Sequence, residues 1–423
     1  MFNIQYLKKY TLSFLRTKTW FRTITITLLA FVLSHSILYQ ITSSSLFSLQ
    51  KDNDFEMSDF YNVVANNRPI RTYNSDIVIV SLDNCSRTQI AQLIERVAYM
   101  QPKAIGIDVF FSYHSEDDSI LINAINSFPN IVLAYDAYHE TQTAFASDLY
   151  SATWGSINLI AKHASGTIRE FRPQFNDSIY AFSAQLAYMA DSTAFNRLIE
   201  RGRELETIHF PSQTFEEVNG LNILEGDVNL FELEELLYNK VVLMGDVHNP
   251  FDQHKTPINS NMAGIVINAH ILSTILSNTY IESTPTWFNW TLAIAISLLL
   301  SYLIVFFQTS NVLKSYTTFM IRVFQVIIIA IFLYVGCYIF AHHHYYCNFA
   351  LALFMVGLGV LAVAVEPVVY LLLQGMEKVL HWLYIGTKFL AKQLWKNYKK
   401  MIYTSRHLLK RLKKESSKHH QKP

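Results

Sequence analysis

The chain has 423 residues, of which 51% are apolar and 16% charged, and its formal net charge is +1. This length predicts two domains, or one domain together with a membrane region. The small net charge conceals a partition: residues 43–286 carry 14 basic and 30 acidic side chains, which excludes nucleic acid as an expected partner of that segment.

The apolar residues are concentrated in four windows, each near or above the roughly 20 residues that a helix needs to cross a bilayer. We therefore predict transmembrane helices at 23–42, 287–308, 323–341 and 349–373. The first window follows a basic segment, as a signal peptide would, but no clear small-residue cleavage pattern comes after it. We interpret it as an uncleaved anchor.

The basic residues predict the orientation of these spans. Residues 1–22 carry five Lys and Arg and no acidic residue, and residues 374–423 carry 13 basic and two acidic residues. Lys and Arg mark the cytoplasmic side of a membrane protein. We expect a multi-pass protein of the cell inner membrane, with both termini cytoplasmic and residues 43–286 extracytoplasmic.

The extracytoplasmic segment begins with a polar stretch, residues 43–75, for which a short helix and a hairpin are both open. Three apolar runs follow, each typical of a strand buried on both faces. Helical patterns separate them: a capping box at Ser86 and Gln89 begins the first, and Ser115 begins the second, whose apolar stripe includes Ile120. The strand runs are Ile77–Asp83, Ala104–Phe111 and Ile131–Asp136. This alternation predicts an α/β domain whose strands are parallel neighbours joined by right-handed crossovers.

The rest of the segment continues the mixed pattern. The patterns predict a strand near 154–160, a hairpin over 165–173, a helix over 181–190, a buried strand over 241–246 and a helix over 264–278. Cys85 is the only cysteine of the segment, so no internal disulfide supports it. At about 240 residues it is large enough to stand on its own core.

The order of these motifs resembles the second CHASE-type domain family, the cyclase- and histidine-kinase-associated sensory extracellular domains. The matching segments are, in order, IVIVSLD, KAIGIDVFF, NIVLAYD, WGSINLI with SGTIREF, AFSAQLA, and VVLMGDVHNPFDQHKTPINSNMAGIVINAH, within residues 43–285. The resemblance implies an extracytoplasmic sensor, which in the family usually precedes a kinase or cyclase. About 50 residues follow the fourth span, so we expect no attached output enzyme.

Aspartates stand at or near the end of each predicted strand: Asp83, Asp108, Asp136 and Asp246. Ligands of open parallel sheets bind beyond the carboxyl ends of the strands. These carboxylates are therefore candidates for holding a hard cation or a cationic ligand. The alternative is that they cap helices and close turns.

Two segments contain possible metal ligands. His248, Asp252 and His254 follow Asp246, and imidazole with carboxylate suits zinc and similar ions, but their spacing matches no defined zinc signature. A structural loop is the alternative there. The loop 342–348 contains three histidines and Cys347 and is equally open to an interfacial role. The sequence does not identify a cofactor.

The fourth span and the tail leave two further alternatives open. Glu366-Pro367 is interpreted as a structural kink or as an ion-binding or signal-coupling site. The tail 374–423 has leucines at spacings of three and four and lysines largely elsewhere. This pattern suits an anionic leaflet or a partner helix, and also a solvated continuation of the span.

These observations favour a binding module over an enzyme, because nucleophile-elbow, phosphate-loop and dinucleotide motifs are missing from the sequence. We expect a sensory protein that binds an extracytoplasmic ligand or partner and passes a signal through its spans to a separate cytoplasmic or membrane partner. The chain contacts the lipid bilayer and could form a homo-oligomer. The alternatives are a metal-dependent ectodomain enzyme using the strand-end aspartates and a scaffold of an envelope complex.

Overall fold

The computed structural model describes residues 19–43, 56–66, 72–161, 166–176, 178–211, 213–309 and 317–419, with side chains described everywhere except at 39–43, 72, 317 and 407–419. The chain divides into two units. The larger unit is Ser36–Ala293 with Phe324–Leu353, and the smaller unit is Met1–His35, Ile294–Val323 and Phe354–Pro423.

The helices and strands of the described residues are numbered in chain order. The strands are β1 Thr72–Ser81, β2 Ala104–Asp108, β3 Ile131–Tyr135, β4 Thr153–Ser156, β5 Ile160–Ala161, β6 Ile168–Phe171, β7 Gln174–Asn176, β8 Ile179–Tyr180, β9 Glu206–Thr207, β10 Gln213–Asn219, β11 Val241–Gly245, β12 Gln253–His254, β13 Met262–Ala263, β14 Glu282–Ser283 and β15 Tyr345–Tyr346. The helices are α1 Thr19–Ser43, α2 Met57–Asn66, α3 Arg87–Tyr99, α4 Asp118–Asn126, α5 Phe182–Ala190, α6 Ser192–Glu200, α7 Gly220–Glu225, α8 Leu230–Leu237, α9 Gly264–Ser277, α10 Thr286–Thr309, α11 Thr317–His343 and α12 Ala350–His419.

The larger unit is built on a six-stranded parallel sheet with the order β10-β1-β11-β2-β3-β4. The α/β class and the parallel strands predicted from the sequence are confirmed. The expectation that β1 and β2 are neighbours is wrong, because β11 lies between them, with Val241 paired to both Ile77 and Ala104. All five residues of β11 are buried, and an apolar run of this kind belongs at the centre of a sheet.

Both faces of the sheet are covered by helices. One face, with Ile79 and Leu243, packs against α5, α6 and α9. The opposite face, with Val80 and Met244, packs against side chains of α3, α4, α7 and α8. Successive side chains of each buried strand therefore point into two separate cores, and the unit has three layers, with the sheet between two layers of helices.

Local helix signals are confirmed in α3 and only approximately placed in α4. Ser86 and Gln89 form both hydrogen bonds of the predicted capping box. Helix α4 begins at Asp118 and not at Ser115, because the Asp118 carboxylate accepts the Ser115 backbone N–H at 2.9 Å and holds a turn there. Ile120, which we placed on the buried stripe of this helix, is 45% exposed.

The middle section is close to its prediction. The strand expected near 154–160 is divided into β4 and β5, and β6 pairs antiparallel with β5 and with β9. This gives the predicted hairpin, although residues 162–165 lie outside the described ranges. The predicted helix is α5, which packs closely against the sheet: a Cβ at Gly155 would lie 2.5 Å from the Cα of Phe182.

The larger unit also contains a small cluster, which we call the foot, formed by α2, the end of α11 and the loop that follows it. The Tyr61 hydroxyl of α2 donates to the carbonyl of Cys347 at 3.1 Å, and its ring lies against Gly336 and Phe340. Strand β14 pairs with β15, so the residues just before α10 lie beside the loop between α11 and α12. Residues 43–75 thus contain a helix, α2, in their described part, and 44–55 and 67–71 lie outside the described ranges.

In the part of the chain that the structure describes, four helices, α1, α10, α11 and α12, are long and apolar enough to cross a membrane. In the smaller unit, Arg22 donates to both carboxylate oxygens of the buried Glu366, at 2.8 and 2.9 Å, and to Gln308 at 2.9 Å. These contacts join α1, α10 and α12. Helix α12 runs through Pro367 and continues into the tail, as the continuous-helix alternative predicted.

Candidate ligand-binding cavity

The carboxyl edge of the parallel sheet holds the four aspartates expected there. Asp108 is the last residue of β2, Asp136 and Asp246 directly follow β3 and β11, and Asp83 lies two residues after β1. The structure brings Asp108 and Asp136 to one cavity, of about 350 Å³. Asp83 and Asp246 do not line that cavity.

Asp83 and Asp136 are each held by local hydrogen bonds. Asp83 accepts from Ser81 Oγ at 2.6 Å and lies 2.7 Å from His248 Nδ1. Asp136 accepts from Asn158 Nδ2 at 2.8 Å and lies 2.6 Å from His139 Nδ1. Burial acts to raise the pKa of Asp136, but these bonds and two backbone N–H groups outweigh it and lower the pKa to about 2. Asp136 is therefore a fixed anion at the rim.

Asp108 has the opposite electrostatic character. It accepts one hydrogen bond, from Asn268 Nδ2 of α9 at 3.1 Å. Burial, with the nearby carboxylates of Asp252 and Asp246, raises the pKa of Asp108 to about 7. Burial and the carboxylates of Asp83 and Asp252 also raise the pKa of Asp246. These neighbouring carboxyl groups therefore disfavour one another's charged form, and a bound cation would offset that repulsion.

Asp252 reaches the cavity because Gly264 has no side chain. A Cβ at Gly264, the first residue of α9, would lie 2.7 Å from both carboxylate oxygens of Asp252. The carboxylate thus sits against the amino end of a 14-residue helix, where the macrodipole favours an anion. His254 Nε2 lies 3.0 Å from Asp252 Oδ1.

The lining of the cavity is mixed. Its polar members are Asp108, Asp136, Asn158, Asp252, His254 and Asn268. Phe110, Ile157, Leu159 and Ile168 form an apolar wall. Acceptors and apolar side chains in one cavity suit a small organic molecule that carries a positive charge.

The residues predicted as metal ligands are divided between two pairs. His248 pairs with Asp83, whereas His254 pairs with Asp252. Among the described residues, no group of three His, Cys, Asp or Glu side chains could hold a metal ion. The metal hypothesis stays a prediction, and the geometry favours an organic cation over a bare metal ion.

The sequence did not identify three residues that line the cavity: the polar Asn158 and Asn268, and Gly264, whose lack of a side chain leaves room for Asp252. A signal for each was present, since they lie in segments that carry the family resemblance. Asn158 closes the Gly-x-x-Asn pattern that begins at Gly155, and Gly264 and Asn268 belong to the glycine-led helix. Their convergence on Asp108 required the strand order.

A family model for the CHASE2 domain matches residues 29–305, about two thirds of the chain. The chain belongs to the CHASE2 domain family. CHASE2 domains are sensory extracellular domains, and the match includes the sheet, the cavity and parts of the helices on either side. Comparison with curated proteins gave no match, and neither did comparison with solved structures.

Proposed function

We propose that this CHASE2 protein is a membrane sensor whose extracytoplasmic α/β domain binds a small organic cation in the cavity at the carboxyl edge of its sheet. The single observation that carries the proposal is the half-buried carboxyl group of Asp108, which shares the cavity with Asp252 and several apolar side chains. A cation bound there balances the carboxylates, and its carbon skeleton packs on the apolar side chains. The expected ligand class is a primary or quaternary amine.

In the proposed topology, the protein lies in the inner membrane, with residues 43–286 on the extracytoplasmic side and both termini in the cytoplasm. The distribution of Lys and Arg supports it. So does the pairing of β14 with β15, because it brings the end of the α/β domain beside the loop between α11 and α12. With two spans between them, the domain and this loop belong on the same side of a membrane.

The foot provides a route from the cavity to the spans. Ile168 of β6 lines the cavity, and the next residue, Arg169, forms two hydrogen bonds to the carboxylate of Asp59 on α2, at 2.8 and 2.7 Å. Two residues further along α2, Tyr61 is fully buried against α11. A ligand that favours one position of β6 thereby favours one position of α2 and α11. A separate cytoplasmic or membrane partner reads that change.

The experiment is calorimetric titration of the full chain in nanodiscs with ethylammonium, choline and putrescine. Asp108→Asn is the test variant, and Asp227→Asn, at an exposed aspartate, is the matched control. We expect binding of at least one amine, with a tenfold or greater loss of affinity in Asp108→Asn only. Binding that is equal in all three proteins refutes the cavity as the site.

A second candidate function is acid/base catalysis, which the raised pKa of Asp108 favours because a group that titrates near neutrality can transfer protons. It is distinguished by the fate of the amine. A sensor releases the titrated amine unchanged, whereas an enzyme converts it, which mass spectrometry of the recovered ligand detects.

A further inference from the structure

The tail portion of α12 carries an apolar stripe that none of the other described residues covers. The stripe follows an alternation of three and four residues, and six of its eight positions hold large apolar side chains between 59% and 68% exposed. They are Met376, Leu380, Leu383, Leu390, Leu394 and Met401. Thr387 and Asn397 fall at the two intervening positions. Most of the stability of a helix in a protein comes from the packing of its apolar face, so we expect the stripe to be covered.

The spacing of the stripe is that of a coiled-coil seam. Leu380, Thr387, Leu394 and Met401 occupy every seventh position, and Met376, Leu383, Leu390 and Asn397 occupy the other seam position. Each set contains two leucines, one methionine and one polar residue. A polar residue such as Asn397 within a seam fixes the register of the paired helices at some cost in stability.

The charges decide between two possible covers, a lipid surface and another helix. Lys388, Lys392, Lys396 and Lys399 lie away from the seam, toward the opposite side of the helix. The positions that flank the seam are Glu377, Val379, Tyr384, Gly386, Ala391, Gln393, Tyr398 and Lys400. Only the first and the last of these are charged, and their charges have opposite signs. A helix lying on an anionic bilayer would place its lysines at the flanks, where they reach the head groups.

Neutral flanks suit a second copy of the same helix. Like charges at the flanks of a seam would repel across a parallel pair, and here they are nearly absent. The lysines on the outer side are separated by the width of the helix pair, and physiological salt screens charges beyond about 8 Å. Lys399 also lies over the ring of Trp395, 5.7 Å from its centroid, which covers one of the aromatic side chains outside the seam.

Continuity with the fourth span sets the orientation. Helix α12 runs without interruption from Ala350, so two copies anchored in one membrane present their tails in the same direction. An in-register parallel pair then brings each seam residue against its own counterpart. We propose that residues 376–401 form a parallel two-stranded coiled coil with the same segment of a second copy of this chain.

The test is disulfide cross-linking of the full chain in membrane vesicles with copper phenanthroline. Cysteines at seam positions, Leu390→Cys and Leu394→Cys, are compared with Lys392→Cys and Lys399→Cys on the opposite side. The unsubstituted chain, with its three native cysteines, gives the background. We expect a cross-linked species of twice the chain mass that is at least fivefold more abundant for the seam cysteines.

Each other outcome overturns the proposal. Equal cross-linking on both sides shows random collision, and a product of any other mass shows a different protein as the partner. If the seam cysteines give no dimer and are also protected from a water-soluble maleimide, the stripe lies on lipid. A seam substitution that unfolds the tail is recognised because its cysteine reacts with the maleimide as fast as the cysteine of Lys392→Cys. In that case Thr387→Cys, which removes no leucine from the seam, is tested instead. The proposal then requires that Thr387→Cys gives the dimer.

Discussion

The carboxyl group of Asp108 makes the stability of the α/β domain depend on pH in a direction opposite to that of an ordinary aspartate. Its pKa rises from the ordinary 3.8 to about 7 in the folded chain because the group is buried near Asp252 and Asp246. Between these two pH values the folded state binds more protons than the unfolded state. The contribution of Asp108 to the stability of the folded state is therefore fully present below about pH 4 and is lost as the pH rises to 7.

The size of the effect follows from the same difference. At 1.36 kcal/mol per pKa unit, a rise from 3.8 to about 7 corresponds to about 4 kcal/mol. This is an upper bound, because water in the cavity solvates the ionised carboxylate. Asp108→Asn removes the charge and keeps an oxygen that can accept from Asn268. We expect the variant to match the wild type below about pH 4 and to exceed it at pH 8.

The assay is thermal unfolding of the full chain in nanodiscs from pH 4 to 8, followed by tryptophan fluorescence. At pH 8 the variant should melt above the wild type by up to roughly 8 to 16 °C, given the bound of about 4 kcal/mol and about 2 to 4 °C per kcal/mol for a domain of this size. The difference between the two proteins isolates Asp108, since His209 and His270, whose pKa values burial and a neighbouring histidine lower, contribute equally to both. Parallel melting curves across this range would refute the reasoning.

Two further predictions concern the cavity and the foot. Gly264→Ala should weaken amine binding at least threefold, measured by calorimetry, because the new methyl group would meet the Asp252 carboxylate at 2.7 Å; unchanged affinity would exclude Asp252 from the site. Arg169→Gln should destabilise the domain by about 3 kcal/mol in thermal unfolding, because it removes the guanidinium partner of the Asp59 carboxylate. The control is Arg172→Gln, which changes an exposed ion pair and should cost under about 1 kcal/mol. Equal losses of stability in the two arginine variants would refute the prediction that the Arg169–Asp59 pair stabilises the domain more than the exposed pair does.

The sequence predicted those parts of the fold that depend on neighbours along the chain. The capping box of Ser86 and Gln89 and the buried strand at 241–245 are local patterns, and both are present as expected. The family resemblance was likewise carried by short segments in a fixed order. Helix boundaries were less certain, as α4 shows, since a single Asp118 carboxylate moved its start by three residues.

Contacts between distant parts of the chain could not be read from local patterns. The insertion of β11 between β1 and β2 is a property of the whole sheet, because β3 is as fully buried as β11 and yet lies beside the edge strand β4. The pairing of Arg22 with Glu366 joins residues more than 340 positions apart, and no spacing rule reaches so far. Glu366 was weighed from its own position in the fourth span, and its partner on α1 was not foreseen. The same holds for Asn268, which meets Asp108 only after the sheet and α9 are assembled.

The adjacency of Ile168 and Arg169 links the two parts of the proposed sensor. Successive residues of a strand point to opposite sides, so one residue of β6 lines the cavity while the next one holds α2 through Asp59. A ligand changes the spans only by the difference between its affinities for the two positions of β6. A tenfold difference in affinity supplies about 1.4 kcal/mol. This is enough to shift an equilibrium between two positions of the foot that have equal free energy. It is not enough to break a buried ion pair. Effective signalling therefore requires that the Arg169–Asp59 pair be retained in both states, with β6 and α2 moving together.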